Sequence, residues 1–252
     1  MEGGIVINTL IIAHRGASAY APENTMVSFM KALEMKSDGI ELDAHMTKDG
    51  ALVVCHDERV DRTTNGKGFI KDFTLEEIRE LDAGSWFGEE FRGEKIPELR
   101  EVLELIKDSN ILLNIELKNA PILYAGIEKK TIEMIADYGM EEKVIISSFN
   151  HYSLTEVKRI NSQIKTGALY MAGLVEPWIY AKRINADALH PLFYNLLVPE
   201  LIKGCFENGI MLNPFTVDDE RYISALLNLE VNGIITNYPD RAVKIRDNTG
   251  GN

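Results

Sequence analysis

Short apolar runs, each closed by an ionisable side chain, recur along this chain and restrict its fold more than any other feature. Leu10-Ile11-Ile12-Ala13 is followed by His14-Arg15-Gly16, Gly39-Ile40 leads into Glu41-Leu42-Asp43, and Ala51–Cys55 leads into His56-Asp57. Parallel α/β folds build active sites from such strand ends, because the loops leaving the carboxyl ends of their strands converge on one crevice.

Strand-like runs alternate with segments of helical period, the pattern of a parallel sheet with crossover helices. Candidate strands are Leu10–Ala13, Gly39–Asp43, Ile111–Leu117, Val144–Ser147, Thr166–Tyr170, Ala186–His190, Ile210–Asn213 and Gly233–Thr236. About eight is the number of a TIM-type (β/α)8 barrel, and 252 residues suit one such domain spanning 1–252. Between the strands, Met26, Phe29, Met30 and Leu33 share one helix face, and Val102, Leu103, Leu105 and Ile106 share another. Thr74-Leu75-Glu76-Glu77 and Ser153-Leu154-Thr155-Glu156 each match a capping box. Pro199 and Pro239 suit first helical turns, and Gly209 suits a helix stop. Lys48-Asp49-Gly50 reads as a tight turn that extends the second strand into a hairpin and folds His56 back toward Glu41 and Asp43. The stretch at about 57–97 is too long for a simple loop and is expected to be a small insertion with its own short helix, over the carboxyl face of the barrel. Asn248–Asn252 is expected to be a frayed tail.

With 45% hydrophobic and 26% charged residues, the composition is that of a soluble globular chain. The net charge of −12 argues against nucleic acid and against anionic membranes. No basic amphipathic helix or exposed apolar anchor is expected, so no stable membrane association is either. Cys55 and Cys205 have no paired spacing and read as buried small hydrophobes rather than a disulfide or zinc site. Met1-Glu2-Gly3-Gly4 lacks the basic region of an export signal, which predicts a cytoplasmic location.

Glu41 and Asp43 stand two apart on a strand and share a side, and Glu116 lies in a third strand end, Asn114–Lys118. Three converging carboxylates without cysteine favour a hard divalent cation, Ca²⁺ or Mg²⁺. His14 and His56 beside them can exchange protons near neutral pH and suit a reaction needing both an acid and a base. Arg15 and Lys118 add positive charge, so that three carboxylates, one divalent cation and these two side chains sum to about +1, complementary to a phosphodiester anion.

With these features in view, the chain resembles the glycerophosphodiester phosphodiesterase family. The resemblance rests on His14-Arg15-Gly16, Pro22-Glu23-Asn24-Thr25, Gly39–Asp43, Thr47–Gly50, His56-Asp57, Arg62-Thr63-Thr64, Leu81–Gly84, Ile96-Pro97 and Ile115–Lys118, in order over roughly the first half of the chain. It implies a barrel with an insertion after the second strand, metal-dependent release of glycerol 3-phosphate and an alcohol, and a place in lipid and glycerol metabolism. It also implies Glu41, Asp43 and Glu116 as metal ligands, His14 and His56 as acid and base, and Arg15 and Lys118 as phosphate binders. Of the two histidines, His14 is assigned as acid and His56 as base. Similarity to phosphatidylinositol phospholipase C barrels brings in a cyclic phosphodiester route beside direct attack by water. Where the family usually has Trp-Thr-Val, this chain has Phe215-Thr216-Val217, which keeps an aromatic wall but loses the indole donor. The partner is thus a small glycerophosphodiester, and the oligomeric state stays open. The competing readings are a phospholipase C-like enzyme on lipids and a non-catalytic phosphodiester-binding protein.

Overall fold

In the computed structural model, which describes residues 9–249, eight parallel strands form a nearly closed barrel with helices between them. The expectations for Met1–Gly4 and for Gly250–Asn252 lie outside the described residues. The elements run β1 (Leu10–His14), α1 (Met26–Glu34), β2 (Gly39–Met46), β3 (Leu52–Val54), α2 (Leu75–Glu80), α3 (Leu99–Ile106), β4 (Leu112–Leu117), α4 (Ile127–Asp137) and β5 (Val144–Ser148). They continue with α5 (His151–Ile160), β6 (Lys165–Tyr170), α6 (Pro177–Arg183), β7 (Ala188–Pro191), α7 (Pro199–Glu207), β8 (Met211–Leu212), α8 (Glu220–Asn228), β9 (Gly233–Thr236) and α9 (Pro239–Thr249).

The strands follow the order β8-β7-β6-β5-β4-β2-β1-β9, and β3 pairs antiparallel with β2 outside that path. Between β8 and β9 the wall is completed by single hydrogen bonds: the Asn232 amide donates to the Leu212 carbonyl (3.0 Å), and the Ile235 amide donates to the Pro214 carbonyl (3.0 Å). Strand alternation sorts the side chains. Ile40, Leu42 and Ala44 join the apolar shell with Phe29 of α1 and Leu103 of α3, whereas Glu41, Asp43 and His45 take the other side of β2 and are buried as polar groups.

The hairpin forms at Lys48-Asp49-Gly50 as the turn chemistry requires, with Ala44 opposite Val54 and the Cys55 amide donating to the Asp43 carbonyl (3.0 Å). Beyond it, residues 57–97 carry α2 and form a small second core in which Val60, Ile70, Ile78, Ala83 and Ile96 pack with Val53 and Cys55 from the hairpin. Thr74 caps α2 through the reciprocal bonds its sequence predicts.

Three expectations are corrected. Ser153 lies inside α5, which Asn150 caps, and its hydroxyl instead accepts from the Asn119 side chain (3.0 Å). Met30 is 45% exposed, because the α1 face against the barrel is set by Phe29 and Ala32. Asn248 and Thr249 continue α9 rather than fraying. Phe149, Met171, Leu174, Val175, Tyr194 and Leu197 are exposed on the segments that follow β5, β6 and β7. Among the described residues, no helix is long and apolar enough to cross a membrane.

Candidate active site

Strand register assembles the carboxylates. His14 is the parallel partner of Glu41, and Asp43 is the partner of Glu116, so four of the anticipated residues sit at two levels of three adjacent strands. Glu41, Asp43 and Glu116 are all buried, and one oxygen from each lies within 4.8 Å of the others. Oxygens on one Ca²⁺, at bond lengths of about 2.3–2.6 Å, span at most about 5 Å, so this triad could hold such an ion. Its surroundings are built for positive charge. The Lys118 ammonium stands 2.6 Å from Glu116 Oε1 and 3.1 Å from Asp43 Oδ1, and the latter oxygen accepts no well-aligned hydrogen bond.

The loop after β1 turns sharply, with Arg15 (φ 55°) and Gly16 (φ 80°) both in the left-handed region. That turn aims the Arg15 amide at Glu41 Oε2 (2.9 Å) and brings its guanidinium against Glu23 (2.9 Å) and within 3.4 Å of Asp43. Gly16 faces Ser28, where a Cβ would collide.

The two histidines are each anchored through Nδ1. His14 Nδ1 lies 2.7 Å from Asn237 Oδ1, and Asn237 in turn donates through Nδ2 to Asp218 (2.7 Å). With the amide so oriented, the hydrogen belongs on His14 Nδ1, and Nε2 faces Glu41 at 3.9 Å. His56 Nδ1 lies 2.6 Å from Asp57 Oδ1, leaving its Nε2 free likewise. Arg62 donates to Asp57 (2.7 Å) and to Glu23 (2.7 and 2.9 Å), closing a chain of ion pairs from His56 round to Arg15.

Burial and neighbouring charge set the proton affinities. Burial, reinforced by Arg15, pushes His14 down to about 4. Glu41 is raised well above the usual carboxylate range by burial, then by Asp43 and Glu116. Burial raises Glu116 to about 7, with Lys118 opposing in part. Asp43 is buried too, yet Lys118 and Arg15 overcome that cost and hold it well below the ordinary range. His56 is lowered by burial, with Asp43 opposing.

The chain matches the glycerophosphoryl diester phosphodiesterase family over residues 14–241. It is 55% identical over 239 residues to a glycerophosphodiester phosphodiesterase of Caldanaerobacter subterraneus subsp. tengcongensis, covering 95% of this chain and 98% of that one. It belongs to that family. A glycerophosphodiester phosphodiesterase of Bacillus altitudinis is 44% identical over 95% of this chain and 98% of its own. Among solved structures, an Oleispira antarctica phosphodiesterase in complex with the product sn-glycerol-3-phosphate superposes with a TM-score of 0.84 at 30% identity, covering 94% of this chain and 96% of that one. A putative glycerophosphoryl diester phosphodiesterase from Silicibacter pomeroyi superposes with a TM-score of 0.88 at 26% identity over 98% and 96% of the chains.

Within this phosphodiesterase family member, Glu41, Asp43, Glu116, Arg15, Lys118 and His14 lie at one end of the barrel, and His56 approaches from the hairpin. Phe215 stands beyond β8, its ring edge-on to Phe149 at 5.9 Å. Sequence reasoning gave no role to several residues. Asn24 donates to Asp43 Oδ2 (2.8 Å), and buried His45 bridges Tyr124 (3.0 Å) and the His56 carbonyl (3.2 Å). The signal for His45 was present, since it continues the Glu41, Asp43 alternation, and Asn237 follows a strand just as His14 closes one. His190 is fully buried in the barrel beside Gly167 and Asn213, which makes it structural.

Proposed function

We propose that this phosphodiesterase cleaves small glycerophosphodiesters to glycerol 3-phosphate and an alcohol, using Glu41, Asp43 and Glu116 to hold Ca²⁺ or Mg²⁺. One observation supports the reading above all: a buried carboxylate triad flanked by two imidazoles, each pinned at Nδ1 and free at Nε2. The product bound in the Oleispira antarctica relative is the one this reading requires. When bound, the cation would stabilise phosphate charge and lower the pKa of a hydroxyl or water beside it.

The protein's own groups divide the remaining work. Arg15 and Lys118 hold the phosphate oxygens, and their positions against Asp43 fix them before substrate arrives. Phe215 forms a wall of the pocket. The hydrogen-bond backing favours the reverse of the proton assignment drawn from sequence. A neutral amide stands behind His14, so its neutral form is favoured and Nε2 accepts the proton of the nucleophile. A carboxylate stands behind His56 and opposes the lowering that burial imposes, so the ring can take up the proton that Nε2 returns to the leaving alkoxide. The nucleophile is water or the neighbouring glycerol hydroxyl, and trapping a cyclic phosphodiester under rapid quench separates the two.

Glycerol 3-phosphate release from glycerophosphocholine and glycerophosphoethanolamine, with Ca²⁺ or Mg²⁺ supplied in turn, tests the proposal. Chelation and Glu41→Ala should each abolish turnover while the circular dichroism of the barrel persists. Turnover unaffected by either would overturn the metal assignment.

A further inference from the structure

We infer that Arg62 is a positioning residue for the proposed reaction: it holds the proton donor His56 and the phosphate-binding Arg15 at a fixed spacing, so that the departing alkoxide is protonated as its bond to phosphorus breaks. The inference rests on the function proposed above and on His56 as the donor. The Arg62 guanidinium grips two carboxylates from separate segments. Nε and Nη2 donate to Asp57 Oδ2 and Oδ1 (2.7 and 3.1 Å), while Nη1 and Nη2 donate to Glu23 Oε2 and Oε1 (2.9 and 2.7 Å). Each carboxylate passes the hold inward. Asp57 Oδ1 lies 2.6 Å from His56 Nδ1, and Glu23 Oε1 also accepts from Arg15 Nη1 (2.9 Å).

The hairpin fixes the backbone of His56, through the Cys55 amide on Asp43 and through His45 on the His56 carbonyl. The ring is held through Asp57, whose side chain is 31% exposed and would turn to water without a partner. Arg62 is that partner, and its own seat is fixed. The Thr64 hydroxyl donates to the Val60 carbonyl (2.7 Å), the Asn65 amide donates to the Asp82 carbonyl (3.1 Å), and Val60 is buried in the second core.

Neither stability nor net charge accounts for this arrangement. The Arg62 side chain is 44% exposed, and exposed ion pairs add little to folding. Arg15 and Arg62 balance Glu23 and Asp57, so the quartet carries no formal charge toward a phosphodiester anion. What it supplies is geometry, because a planar fork sets two carboxylates at one spacing and an ammonium does not. That geometry bears on one step. As the bond from phosphorus to the head-group oxygen breaks, its electron pair stays on that oxygen and the proton of His56 Nε2 moves to it, while the proton of the nucleophile goes to His14 Nε2. A donor displaced by about 1 Å can cost about 10²-fold in such a step.

The test compares Arg62→Lys, Arg62→Ala and His56→Ala with the unaltered protein on two diesters that share the glycerol phosphate half, glycerophosphocholine and glycerol 3-phospho-p-nitrophenol. Nitrophenolate leaves as a stable anion and needs no proton from His56, whereas the choline alkoxide does. Both Arg62 variants should lower kcat on glycerophosphocholine by about 10–10²-fold and leave kcat on the nitrophenyl diester nearly unchanged. Lysine keeps the charge, so KM should stay near that of the unaltered protein while kcat is not rescued. Added to His56→Ala, Arg62→Ala should cause little further loss, because the two act as one unit. Equal losses on both diesters overturn the inference and assign Arg62 to phosphate binding or to the fold. So do full rescue by lysine, unchanged kcat in Arg62→Ala, and a loss that adds undiminished to that of His56→Ala. If His56→Ala itself slows both diesters alike, the reading of His56 as proton donor falls instead, and no choline release by the unaltered protein would remove the proposed function.

Discussion

His14 and His56 are both pinned at Nδ1, but by partners of different charge, and that difference is the chemical asymmetry of the site. His56→Ala should lower kcat by about 10²–10⁴-fold, the usual contribution of a general acid or base. Asp57→Asn keeps the ring but removes the anion behind it, so its kcat should fall between wild type and His56→Ala. Steady-state kinetics in which either change moved KM alone would contradict the role. The carboxylates were legible in the sequence because strand alternation puts Glu41 and Asp43 on one side and Glu116 closes a run of the same kind. Asn237 was not, because its partner lies 223 positions away and meets it only when β9 closes against β1.

At the scale of elements, the loop between β1 and α1 is tightly constrained. Arg15 and Gly16 hold left-handed backbone there, and the turn is tied to α1 by the Ala17 amide donating to the Ser28 carbonyl (3.0 Å). Gly16→Ala combines an unfavourable φ with a collision against Ser28, and should cost about 1–3 kcal/mol in denaturant unfolding. It should also weaken catalysis, because the same turn aims the Arg15 amide at Glu41. An alanine variant as stable and active as wild type would show that the turn relaxes freely. Local signals located most elements to within two residues, yet they misjudged Ser153. A hydroxyl with a glutamate three residues on is a helix start only where the chain turns just before it, and here Asn150 already holds that place.

For the molecule as a whole, the buried acids link stability to pH and to the cation. Glu116 is raised from an ordinary 4.5 to about 7, so its contribution favours the fold fully below about 4.5 and is lost as pH rises through about 7. In chelator, the melting temperature should therefore carry a component that declines across that interval. Cation at a hundred times its Kd should add about 2.7 kcal/mol, or roughly 5–10 °C in Tm, and more at pH 8 than at pH 5.5. Scanning calorimetry showing no cation-dependent shift at pH 8 would refute the linkage. The barrel itself was legible from the alternation of runs, whereas its near-closure was not: β8 has only two residues and β9 meets it through isolated bonds rather than a ladder. The β2–β3 hairpin carries a different consequence. His14 is built into a stave of the barrel, but His56 rides on a return strand outside it, steadied from beneath by His45. The two proton carriers thus belong to different parts of the fold, so the spacing between them depends on how the segment after β3 is seated and not on the barrel register alone.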